Sequence, residues 1–158
     1  MNGGGRRWAG TVGLAAVAAG VGLSAHVPVQ PPGSLRAGMH ISLNVGGVPL
    51  TVGGSGECQQ REQGGQSRTW SARRRDGQRE VAITLWRVNG GADRFTLQVT
   101  LNGKSHRVNT ARTDSPAAGS GQATFEPRGR GGVFNVYALA DTGARISGQV
   151  SCAAFWRT

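Results

Sequence analysis

Residues 68–110 read RTWSARRRDGQREVAITLWRVNGGADRFTLQVTLNGKSHRVNT, and three turn signals punctuate them: Asp76-Gly77, Asn89-Gly90-Gly91 and Asn102-Gly103. Such sequences between alternating apolar runs mark β-hairpins, because glycine and asparagine tolerate the positive φ that tight hairpin turns need. Two-residue turns at Asp76-Gly77 and Asn102-Gly103, with a three-residue turn at 89–91, specify the pairing registers. Trp70, Ile83, Leu97 and Val108 then form one row across four strands. Ala72, Val81, Val99 and His106 form the next, and Arg68, Leu85, Phe95 and Thr110 another. These loop lengths put most apolar side chains on one face, and a one-residue slip would turn them to the other. The stretch is expected to be a four-stranded antiparallel meander, and nothing in it carries recognisable chemistry.

Upstream, Ile41, Leu43 and Val45 alternate with polar residues, Gly46-Gly47 interrupts, and Val48, Leu50 and Val52 resume the pattern. That is another hairpin. Pro49 lacks an N–H for the ladder, so an edge position is expected there. Gly53 to Gly56 lead to Cys58, and 59–66 read as a polar loop or weak strand. Downstream of the meander, 113–121 (TDSPAAGSG) is a loop without core material. Ala123 and Phe125 begin a strand, Gly129-Arg130-Gly131-Gly132 turns into Val133 to Leu139, and Asp141-Thr142-Gly143 turns again. Ile146, Gly148, Val150 and Cys152 share one face of a last strand, followed by Phe155 and Trp156. Beyond the N-terminal apolar stretch there is no 3.6-residue apolar period of helical length. The expected fold is all-β, an antiparallel β-sandwich of about nine short strands that contains the meander.

Residues 1–25 read as an export signal: Arg6-Arg7, an apolar run from Trp8 to Leu23, and Leu23-Ser24-Ala25 as a small-residue cleavage site. Removing them leaves 133 of the 158 residues and, without Arg6 and Arg7, a net charge of +8 instead of +10. No transmembrane span is expected after cleavage. Residues 26–38, with Pro28, Pro31 and Pro32, read as an extended arm, and 39–158 as the β-domain. Lysine plus arginine number 18 against 8 acidic residues, and Lys104 is the only lysine. Arginine suits bidentate anion contacts, although 27 glycines reveal a GC-rich coding bias that also favours it. In an exported chain, the two cysteines, Cys58 and Cys152, are expected to pair.

Two segments carry a family resemblance. Ile41-Ser42-Leu43-Asn44, the Gly46-Gly47 turn, Leu50-Thr51-Val52 and Gly56-Glu57-Cys58 make the first; 144–152 (ARISGQVSC) make the second. Both resemble the small mycobacterial lipoprotein antigens, which are exported β-domains with one disulfide. The resemblance implies a non-enzymatic protein of the cell envelope or secreted fraction and transfers no site residue. The chain departs from that family where His26, not a lipidation cysteine, follows Leu23-Ser24-Ala25.

No Gly-x-Ser-x-Gly, His-Glu-x-x-His, phosphate-binding loop or EF-hand spacing occurs, so no catalytic residue and no cofactor is assigned. Gly129-Arg130-Gly131-Gly132 reads as a turn rather than a phosphate cradle. His26, His40 and His106 would have to converge to bind a metal; the register places His106 inward beside Val99, so no metal site is assigned. Trp86, on the outer face opposite Arg94, is a candidate glycan platform or a partner for that cation. The tip of the first hairpin, Arg73, Arg74, Arg75 and Arg79, is a candidate anion-binding edge. In the Asp76-Gly77 register, Arg73 faces Glu80, Arg75 faces Gln78 and Arg74 faces Arg79. The expected protein is exported to the envelope or medium. Its expected partner is an anionic polymer or envelope glycan and not a specific nucleic acid. A hydrolase whose groups converge only in the fold is the alternative.

Overall fold

The computed structural model describes residues 36–63, 67–88, 93–111 and 118–158. The expected signal at 1–25, most of the arm at 26–38, the turn at 89–91 and most of the loop at 113–121 lie outside the described residues. Ten strands follow in chain order: β1 (Arg36–Val45), β2 (Val48–Gln63), β3 (Ser67–Asp76), β4 (Arg79–Val88), β5 (Arg94–Leu101), β6 (Lys104–Asn109), β7 (Ser120–Arg128), β8 (Gly131–Leu139), β9 (Arg145–Cys152) and β10 (Trp156–Arg157). Strand β1 therefore takes in the last three residues of the expected arm, and β2 absorbs most of the polar stretch after Cys58.

All ten belong to one sheet in the order β6-β5-β4-β3-β2-β1-β9-β8-β7, with the short β10 pairing parallel to β2. The two ends of this order meet: Asn109 bridges Ala118, its N–H donating to the Ala118 carbonyl at 2.7 Å. The sheet is thus a nearly closed, antiparallel, barrel-like structure, which corrects the two-sheet sandwich. Side-chain alternation reports which residues point inward; it does not distinguish two packed sheets from one sheet curled on itself. The curling rests on long-range partners. Strand β2 pairs with β1 over Val48 to Glu57 and with β3 over Glu57 to Gln63, and β10 joins it at Gln59 and Gln60. Pro49 lies in the part of β2 that pairs with β1 alone, where its missing N–H costs no ladder bond.

The β4–β5 and β5–β6 registers are those expected: Ile83 opposes Leu97, Leu97 opposes Val108, and Val99 opposes His106. At the 102–103 turn both residues have positive φ, 53° and 75°, as a type I′ turn requires. The β3–β4 register differs by two residues. Gly77-Gln78, not Asp76-Gly77, forms the turn, with positive φ at Gly77 only, the pattern of a type II′ turn. Asp76 then opposes Arg79 and Arg75 opposes Glu80, so opposite charges face each other where the expected register set Arg74 against Arg79. A shift of two keeps every side chain on its face. The inward rows become Trp70, Leu85 and Phe95; Ala72, Ile83, Leu97 and Val108; and Arg74, Val81, Val99 and His106.

The interior is filled by side chains. Ile41, Leu50, Ile83, Leu85, Phe95, Leu97, Val99, Val108, Phe134, Ile146 and Val150 are all fully buried. The disulfide between Cys58 and Cys152 forms inside this core and ties β2 to β9. The turn at 141–143 folds onto β6: Asp141 N–H donates to the Arg107 carbonyl, Asp141 Oδ1 accepts from Arg107 N–H, and Thr142 Oγ1 lies 2.6 Å from His106 Nδ1. The last of these contacts gives the buried His106 imidazole a polar partner.

Candidate anion-binding site

Extending the Gly46-Gly47 hairpin along its register brings Arg36 opposite Glu57, and Glu57 in turn opposes Arg73 on β3. Arg36, Ser55, Gly56, Glu57, Arg73, Arg74 and Arg75 line a hollow of about 370 Å³. Three of the four hairpin-tip arginines therefore converge, and Arg36 from β1 completes the set. Arg79 is not among the lining residues. Arg36 lies far from the tip in sequence, and its only local signal is the β1–β2 register carried out to its end.

The four guanidiniums are not equivalent. Arg73 is held in an ion pair, with Nη2 2.7 Å and Nε 2.9 Å from Glu80 Oε1, two residues along β4 from its register partner Ala82. Arg74 faces inward, where the β2–β3 ladder has ended at Glu57 and Arg73. There its Nη1 donates to the Ser55 carbonyl, taking the place of a strand-to-strand bond. A Cβ on Gly54 would meet the Arg74 guanidinium at 2.8 Å, so that glycine makes room for it. The Arg74 stem also borders a narrow gap with Leu50, Val52 and Val81, and its Nε is buried without a hydrogen-bond partner. Arg36 and Arg75 are exposed and make no ion pair among the described residues. Among the described residues, Glu57 is the only carboxylate lining the hollow. Arg36 and Arg75 are accordingly the cations free to take up an anion, with Arg73 and Arg74 as a fixed positive background.

Trp86 opposes Arg94 across β4 and β5, as expected, and is half-buried. The cation over a ring lies elsewhere: the Arg87 guanidinium sits 5.4 Å from the Trp70 ring centroid. Arg87 is also paired with Asp93 at 2.7 Å, and this hydrogen bond raises its pKa against the opposing effect of burial. Among the described residues, no three His, Cys, Asp or Glu side chains gather as a metal site would need. His40 is exposed on β1, His106 is buried against Thr142, and His26 lies outside the described residues. Within Gly129-Arg130-Gly131-Gly132, Gly129 and Arg130 form the β7–β8 turn, with Gly129 at φ 58°, and Gly131 and Gly132 open β8. No family model, curated protein or solved structure matches this chain.

Proposed function

We propose that this chain is an exported, non-enzymatic protein of the cell envelope or secreted fraction that binds an anionic polymer or glycan at the Arg36–Arg75 hollow. The observation that carries this reading is four arginines lining one hollow with, among the described residues, Glu57 as its only carboxylate. Guanidinium forks match carboxylate and sulfate oxygens in pairs, and summed charge at a concave surface attracts polyanions before contact. The lining is largely polar and has no aromatic residue, which favours recognition by charge over the enclosure of a small apolar ligand. The envelope or secreted setting rests on the signal-like residues 1–25, on the resemblance to the small mycobacterial lipoprotein antigens, and on the single buried disulfide.

Heparin chromatography and titration with a polyuronic acid test the reading. The protein should be retained, with binding that weakens as salt rises because these charges are exposed and screened. Arg36→Gln with Arg75→Gln should remove most of the binding, whereas Arg145→Gln on β9 should leave it nearly unchanged. Equal losses from the two changes would mean diffuse charge and would refute a site.

A further inference from the structure

A second hollow of about 370 Å³ opens beside the β7–β8 turn, and its chemistry differs from the first. Its lining includes Arg68 from β3, Arg130 from the β7–β8 turn and Arg157 from β10, together with Trp70, Phe125 and Phe155. Among the described residues, no carboxylate lines it. We propose that this hollow binds a small anion carried on a flat ring, such as an aryl sulfonate, an aryl phosphate or an aromatic carboxylate. This inference is independent of the polymer-binding reading and concerns separate residues.

Two features set the ligand class. The first is the aromatic floor. Trp70 stacks on Phe125 with centroids 4.6 Å apart, and Phe125 meets Phe155 edge to face at 5.3 Å. Trp70 and Phe125 are buried, and Phe155 is the partly exposed ring. A ligand ring can extend this offset and edge-to-face array, which rewards flat apolar bodies. The second is the set of three arginines in the lining, whose guanidiniums can pair with an anion through their edges and stack on rings through their faces. The Arg36–Arg75 hollow has such arginines but no aromatic floor, so it gives no preference for a ring.

The backbone that carries these arginines is fixed. Phe155 N–H donates to the Arg130 carbonyl at 2.8 Å, and Thr158 N–H donates to the Gln60 carbonyl at 3.1 Å. Arg61 Nε also reaches Thr158 Oγ1. Gly131 lets the turn pack tightly on the chain end: a Cβ there would lie 2.0 Å from the Cys152 carbonyl oxygen. Among the described residues, Arg68 is the one of the three arginines in an ion pair, with Glu62 at 3.5 Å, and both side chains of that pair are exposed. The backbone under the hollow is thus in place before any ligand arrives, which lowers the ordering cost of binding.

The test is calorimetric titration of the full chain with naphthalene-2-sulfonate, inorganic sulfate and 2-naphthylmethanol. The proposal expects the sulfonate to bind at least about tenfold more tightly than either comparator, a difference of about 1.4 kcal/mol. Arg130→Gln with Arg157→Gln should weaken the sulfonate about tenfold or more, and Arg36→Gln with Arg75→Gln should not affect it. Phe155→Leu should weaken the sulfonate without changing the response to sulfate. Near-ultraviolet dichroism of the Trp70–Phe125 cluster checks that each variant is folded. Equal binding of sulfonate and sulfate, equal binding of sulfonate and the neutral ring, or indifference to the Arg130 and Arg157 changes would each overturn the proposal.

Discussion

Arg74 and Ser55 are joined across the place where β2 and β3 part company, the guanidinium Nη1 donating to a carbonyl just beyond the end of the β2–β3 ladder. This contact makes Arg74 a part of the barrel wall as well as a lining residue of the anion hollow. It also separates the stabilising arginine from the ones available to a ligand.

Arg74→Ala should therefore lower stability by about 1–2 kcal/mol, since it removes the packed stem and leaves the Ser55 carbonyl without its donor. Arg79→Ala, at the exposed first position of β4 outside the hollow, should change stability by less than about 0.5 kcal/mol. Urea denaturation followed by tryptophan fluorescence distinguishes the two.

Reducing the Cys58–Cys152 bond should cost up to about 4–5 kcal/mol in the chain-entropy account, because it closes a loop spanning 94 residues. Parallel unfolding curves with and without reductant measure the loss. Both sulfurs are bonded and both residues are buried, so alkylation of the oxidised native protein should label no cysteine.

Gly148→Ala should be among the most damaging single changes, costing about 3 kcal/mol or more. Its φ is 134°, and an added Cβ would stand 2.1 Å from the Ser42 carbonyl oxygen on the neighbouring β1. Gly143→Ala is the matched control: φ there is also positive, at 79°, but the space is open. It should cost only about 1–2 kcal/mol, the ordinary expense of an L residue in that conformation. Thermal melts of the two variants should separate accordingly.

Asp93→Asn should cost about 0.5–1.5 kcal/mol, a modest figure because both side chains keep some contact with solvent. Arg87 would keep its place over Trp70 but lose its ionic partner. The expected signature is a changed tryptophan emission with the fold intact, read by fluorescence beside far-ultraviolet dichroism.

Much of this architecture is legible in the local pattern. The turns at Gly46-Gly47 and Asn102-Gly103, the inward set from Ile83 to Val108 and the shared face of Ile146, Val150 and Cys152 follow from alternation and turn chemistry, which act between near neighbours. The β3–β4 register did not follow, because alternation sets parity alone: moving the turn from Asp76-Gly77 to Gly77-Gln78 leaves every side chain on its face. The charges across the hairpin, Asp76 against Arg79 and Arg75 against Glu80, favour the observed choice. The same limit applies to the candidate sites. Arg73, Arg74 and Arg75 are visible as a cluster because they are consecutive. Arg36 joins them only through the β1–β2–β3 order, and Arg68, Arg130 and Arg157 meet only because the β7–β8 turn and the chain end close over one side of β2 and β3. By itself the sequence determined most of the strands and their inward faces, which depend on residue type and short spacing, and it offered only two cysteines to pair. Tertiary structure alone decided that the sheet curls until Asn109 meets Ala118, and which distant arginines share a hollow. Those outcomes depend on pairings between strands far apart in the chain, for which local periodicity holds no information.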